Sequence, residues 1–182
     1  MQLASGLMYA KRSDLRADDQ AFFYGIRAVA YSKLGNNSMA KSSAAVFMSY
    51  LEKKNFKAGE SYDFAPLVSN IGDYYLANGQ LDQAYIAFEI AHHAWSALED
   101  NGRFNQAVSE IRLGKIERSR GNLALAARFL QNAASMFERI GARKDFAKTL
   151  FALADVHWGL RDYVKAISIH AEAVKIWTES KN

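Results

Sequence analysis

LVSNIGDYYLANGQLDQAYIAFEIAHHAWSAL, residues 67–98, decides the fold. Its first half is apolar at helical spacing and runs to Asn78-Gly79, a helix C-terminal signal because glycine takes the left-handed conformation without penalty. The second half resumes the period with Leu81, Ala84, Tyr85, Phe88, Ala91, Trp95 and Leu98, so the stretch reads as a helical hairpin. Within it Gly72 is followed seven positions on by Gly79 and five further on by Ala84. The same spacing returns as Ala28–Gly35–Ala40, Gly114–Gly121–Ala126 and Ala154–Arg161–Ala166. The turn positions 35, 79, 121 and 161 lie 44, 42 and 40 residues apart, so nearly the whole chain is one motif used four times. Helices are expected over 17–34 and 37–54, 62–78 and 81–99, 102–120 and 123–140, and 143–160 and 163–180. They form one domain spanning 1–182. In the fourth copy Arg161 replaces the glycine, but Asp162 can cap the helix that follows.

The small residues have a packing reason. Two helices joined by a short turn approach to about 8 Å only where their crossing carries little side chain. Ala28, Gly72, Gly114 and Ala154 supply that notch, with Ala40, Ala84, Ala126 and Ala166 opposite. Ala91, Ala133 and Ala173 repeat the device twelve positions beyond the turn, where the first copy instead has Phe47.

Composition fits an all-helical protein of ordinary apolar content, 50%. No cysteine is present, which removes disulfides and thiolate metal sites and favours a cytoplasmic setting. The first twenty residues lack the pattern of a signal peptide, and no apolar run approaches the roughly 20 residues that span a bilayer. No membrane association is expected. The net charge of +4 is unevenly laid out. Residues 55–100 hold seven acids against one base, and residues 101–150 hold ten bases against four acids. Internal pairing between neighbouring repeats is expected to account for part of that polarity.

The series Gly72, Tyr75, Gly79, Ala84, Phe88 and Ala91, with its weaker copies, resembles the tetratricopeptide repeat over residues 21–180. The usual unit of that family is 34 residues. The longer unit here is similar to the variants in kinesin light chains, in bacterial peptide-sensing regulators of the Rap type and in tetratricopeptide regions of bacterial signalling or transcription proteins. The resemblance implies an all-α, right-handed superhelix of four antiparallel helix pairs. Its first helices would line a concave surface that takes a partner's extended peptide or helix. The expected function is therefore a non-catalytic scaffold or adaptor, or else the peptide-sensing part of a bacterial regulator.

Mapped onto this chain, the concave surface carries Ile26, Val29, Asn70, Asp73, Arg112, Lys115, Ala152 and Asp155, bordered by Phe22, Arg118, Lys148, Phe151 and Trp158. Asn70 offers an amide to a peptide backbone and Arg112 a forked donor to a carboxylate, which points to an acidic partner. Asn70 and Arg112 also resemble two members of the family's carboxylate clamp, but Gly25, Val29 and Val108 hold the other clamp places. Asp73, Lys115 and Asp155 can equally pair across adjacent helices.

Catalytic signals are lacking: no cysteine nucleophile, no phosphate-cradling glycine loop and no HExxH pair. No cofactor and no metal is expected. His92 and His93 point about 100° apart on their helix. His157 and His170 occupy the places of Tyr75 and Phe88 and could meet inside the fourth hairpin as a core pair. A basic face with Arg103, Arg112, Lys115, Arg118 and Arg120 could bind phosphates, but the acidic repeat beside it and the lack of a recognised motif weigh against nucleic acid.

The ends complete the reading. QLASGLMYAKR is expected to form a short helix covering the first repeat with Leu3, Leu7 and Met8. In the last helix Ile169, Ile176 and Trp177 cannot all face the preceding helix. That helix is expected to self-associate as a homodimer or to continue into further sequence.

Overall fold

The computed structural model describes residues 16–54 and 64–180, all of its regular structure being helical. The helices are α1 (Ala17–Lys33), α2 (Asn37–Lys54), α3 (Phe64–Ala77), α4 (Leu81–Ser96), α5 (Arg103–Ser119), α6 (Leu123–Arg139), α7 (Arg143–Gly159) and α8 (Tyr163–Glu179), with a 3-10 turn at Glu99–Asn101 before α5. Their ends fall within about three residues of those read from the repeat. The expected N-terminal helix lies outside the described residues. The chain divides into two compact units, Met1–Ala97 and Leu98–Asn182. Hairpins one and two lie in the first and hairpins three and four in the second.

Each hairpin turns the same way for the same reason. Gly35, Gly79 and Gly121 take φ of +73°, +71° and +83°. The amide one residue later returns to the carbonyl five residues back: Asn36 to Tyr31 (2.9 Å), Gln80 to Tyr75 (2.9 Å) and Asn122 to Glu117 (2.8 Å). With the glycine's own amide donating to the carbonyl three residues back (Gly35 to Ser32, Gly79 to Leu76, Gly121 to Arg118), this closure satisfies carbonyls that the helix end would otherwise orphan. Arg161 makes the same turn at φ +62°, with Asp162 returning to His157 (3.0 Å). Asp162 also caps α8, its carboxylate accepting from the Lys165 amide at 3.4 Å.

The notch residues are where helices meet. A Cβ on Gly72 would stand 2.9 Å from the Phe88 ring, and one on Gly114 would stand 3.2 Å from Leu130. The first hairpin uses a shifted version. Its ring, Phe47, lies three positions further from the turn than Phe88 does, and Gly25 lies three positions further back than Gly72. A Cβ on Gly25 would meet Phe47 at 3.1 Å. Ala44, buried completely, takes the place that Phe88 fills in hairpin two. The departure at Phe47 is thus a displacement of the large-into-small contact by one helical turn, not its loss.

In the first unit Phe47 stacks on Phe64 at 5.8 Å, and the Tyr74 hydroxyl donates to the Asn37 carbonyl at 3.0 Å, tying hairpin two to hairpin one. Trp95 Nε1 donates to Ser69 Oγ at 3.0 Å across hairpin two. In the second unit Ala126, Leu130 and Ala134 of α6 close on Leu150, Leu153 and Val156 of α7 and on Ala173 of α8. At 20–33 cal/mol per Å² of apolar surface, such clusters are what hold each unit together.

Candidate partner-binding surface

Hairpin geometry fixes which side of each first helix stays outside. In α7 the positions Lys148, Phe151, Asp155 and Trp158 recur at three- and four-residue spacing and share one face. Lys148, Asp155 and Trp158 are exposed, Trp158 by 59%. Phe151 is half-buried, its ring edge-on to His170 at 5.1 Å. Lys148 pairs with Asp145 one turn back at 3.3 Å, on a surface where such pairs contribute about 0–1 kcal/mol. In α5, within the same unit, Lys115 is exposed and Arg112 half-buried.

Between α7 and α8 this face opens into a groove of about 290 Å³ lined by Ala154, Asp155, Trp158, Ile167, His170 and Ala171, with Ala166 at its floor. Trp158 packs edge-on to Tyr163 at 4.9 Å, which fixes the indole beside the groove. The walls are apolar, and Asp155 and His170 supply the polar groups at the rim. Sequence reasoning had placed Asp155 and Trp158 on this surface and missed Ile167, His170 and Ala171. They lie on the second helix, at places where hairpin three has Ala127, Leu130 and Gln131.

The first unit has a groove of its own. Ile26, Val29, Ala30, Lys33 and Leu34 of the first helix and the turn after it face Leu67 of α3 across about 310 Å³. Ile26 and Val29, expected on the concave surface, line this groove. Asn70 and Asp73 are exposed on α3. Asn70 donates its amide to the Pro66 carbonyl at 2.7 Å, so its own helix takes a donor that the sequence had offered to a partner. The predicted set is therefore split between the units: Asn70 and Asp73 in the first, and Arg112, Lys115, Lys148, Phe151, Asp155 and Trp158 in the second. Only Asp155 and Trp158 line a common groove.

The two histidines do not meet. His157 is buried at 7% exposure, its Nδ1 3.5 Å from the Asp162 carboxylate, whereas His170 lies out in the groove against Phe151. The reason is position: His157, four before the turn residue, sits beside the residue just after the turn. Glu117 holds the same place in hairpin three, accepting from Asn122 at 2.7 Å and from Arg120 at 2.6 Å. Glu117 thus ties the turn of hairpin three by accepting hydrogen bonds, whereas in hairpin four the sense is reversed, an imidazole facing a carboxylate at 3.5 Å. Burial, and next the charge of Lys165, push the His157 pKa below 6.5 against the opposing pull of Asp162.

The last helix divides its apolar residues between two sides. Ile169 and Ile176 are half-buried against the α6–α7 cluster, and Trp177 is half-buried as well. The apolar residues that α8 leaves outward are Val164, Ile167 and Val174, exposed by 84%, 64% and 43%. Among the described residues no group of three or more His, Cys, Asp or Glu gathers as a metal would require, and no helix is long and apolar enough to cross a membrane.

No family model and no curated protein matches the chain. Solved structures do. BtubC (BKLC) from P. vanneervenii is similar at a TM-score of 0.79 and 16% identity, over 99% of this chain and 72% of that one. TPR-like repeats assigned to a kinesin light chain of Podosopora anserina are similar at 0.76 and 15%, over 99% and 86%. Aspartyl phosphate phosphatase F from Bacillus subtilis is similar at 0.69 and 14%, over all of this chain and 49% of the phosphatase. The fold is thus the all-α, tetratricopeptide-like helical repeat expected from the residues.

Proposed function

We propose that this protein is a non-catalytic scaffold or adaptor that binds a peptide or helix of a partner protein. The likeness to TPR-like repeats supports a protein-interaction role. The observation that carries the finer reading is Trp158, an indole 59% exposed and held at the mouth of an apolar groove with Asp155 at its rim. Exposed, rigidly placed aromatics beside a pocket are what interfaces use as anchors. Lys115 and Arg112 on α5 add cationic groups suited to carboxylates of the same partner. The groove at Ile26, Val29 and Leu67 gives the first unit a second, more apolar place for a partner to engage.

The test is comparative capture from a lysate with wild type and an Asp155→Lys, Trp158→Ala double variant, thermal melting serving as the folding control. Loss of specific partners from a variant that melts like wild type is the expected result; an unchanged set of partners removes the reading. A second reading, a repeat domain of a bacterial signalling protein whose helices shift on binding a peptide, draws its support from the likeness to the Bacillus subtilis phosphatase. Nucleic-acid binding through the basic third repeat is checked by duplex titration at low salt, where a phosphate-binding face shows steep salt dependence.

A further inference from the structure

The second helices of the four hairpins differ on one stripe. Counted from the turn residue, the positions three, six, ten and thirteen on share a face with the 3-4-3 spacing of a helix–helix seam. Polar residues interrupt that stripe in three copies: Ser38 and Lys41 in α2, Asp82, Glu89 and His92 in α4, and Gln131 in α6. In α8 all four positions are aliphatic, Val164, Ile167, Ala171 and Val174, and all four are exposed.

The structure also shows what covers such a face. In α6 the equivalent positions Ala127 and Ala134 pack into the cluster built with Leu150, Leu153 and Val156 of α7. A three-residue link, 140–142, joins those helices, so α7 runs back along α6. The α8 stripe continues this interface one repeat further, with no helix on it among the described residues.

We propose that the occupant is α8 of a second copy, laid antiparallel about a two-fold axis. The stripe is self-complementary in that arrangement. Val164 faces Val174 of the second copy, and Ile167 faces Ala171, so a large side chain enters the space left by a small one, and each contact occurs twice by symmetry. No charged residue lies on the seam. α8, 17 residues long, spans about 25 Å, so one helix pair makes a small interface and a weak, concentration-dependent dimer. The stripe shares Ile167 and Ala171 with the lining of the α7–α8 groove, so a second copy and a partner protein would compete for them; sedimentation reads the dimer without any partner, which keeps the two readings separable.

The experiment is sedimentation velocity of the full chain across a concentration series. Wild type is expected to pass from monomer to dimer. Val164→Glu and Val174→Lys should each raise the dissociation constant at least tenfold. Both should fold, since an acid near the start and a base towards the end of a helix suit its dipole; circular-dichroism melts check this. The combined Val164→Glu, Val174→Lys variant places Glu opposite Lys at both symmetric contacts and should recover the dimer. A wild type that stays monomeric throughout, single variants that still dimerise, or a double variant that does not recover would each overturn the proposal. A monomeric wild type whose α8 amides are protected only by another protein's helix would reassign the face to that partner.

Discussion

Arg161 holds a conformation that glycine holds in the three other hairpin turns, at φ +62°. A left-handed residue with a side chain costs about 1–2 kcal/mol, part of which glycine returns as extra freedom of the unfolded chain. Arg161→Gly is therefore expected to stabilise by about 0.5–1 kcal/mol, seen as a higher urea midpoint with an unchanged slope. The reciprocal change, Gly121→Ala, places a Cβ at φ +83° and should cost about 1 kcal/mol. His157 supplies a pH dependence. Its native pKa lies below 6.5, so the unfolded chain takes up the proton first as the solution is acidified. The stability linked to this group is complete above pH 6.5 and is lost as pH falls towards and through the depressed native value. His157→Tyr, which installs the residue found at the same place as Tyr31 and Tyr75, should flatten that part of the pH–stability curve in thermal melts.

Among the elements, the close approach of paired helices rests on single atoms. Gly72→Ala puts a methyl 2.9 Å from the Phe88 ring and should destabilise by about 1–3 kcal/mol in denaturant titration. Phe88→Leu in the same chain should return part of that loss, because a leucine leaves more room at this crossing: a Cβ added at Gly114 would stand 3.2 Å from Leu130, against 2.9 Å from Phe88 at Gly72. Such coupling is read from a double-mutant cycle. These contacts were legible in the sequence because spacing from the turn fixes which residues of a hairpin oppose each other. Helix limits were legible for the same reason, since the left-handed residue ends one helix and the next begins two residues later. The outward side of α8 was not. Its apolar residues occupy more than one face, and counting them cannot say that Ile169 and Ile176 turn to the α6–α7 cluster while Val164, Ile167 and Val174 turn away. At Asn70 the residue type announced an amide, and only geometry shows that Pro66 takes one of its two N–H donors.

At the scale of the molecule, the division at Ala97 and Leu98 falls where the sequence changes from its acidic to its basic stretch. Each unit carries a groove bordered by a first helix, apolar with Lys33 in the first and apolar with Asp155 and His170 in the second. A partner reading both would have to match opposite rim charges, so Asp155→Lys should alter the choice of partner more than Lys148→Ala, whose ammonium is engaged with Asp145. Parallel capture with the two single variants measures this. The repeat made the fold legible, but the residues of the proposed partner surface lie in departures from the repeat, which periodicity by construction does not specify.

The one-turn displacement of Phe47 and Gly25 bears on how the chain avoids tangling while it folds. Four similar hairpins offer each first helix several second helices to pair with, a known route to misassembly in repeat proteins. If α1 closed on α4 in place of α2, Phe88 would strike Ala28, which has a methyl where Gly72 has none, and Ala91 would leave a hollow over Gly25. The offset therefore acts as a recognition code that rewards the two helices of the first hairpin for closing on each other. An α2–α4 exchange chimera, otherwise conservative, should refold slowly and with a lower yield of native protein.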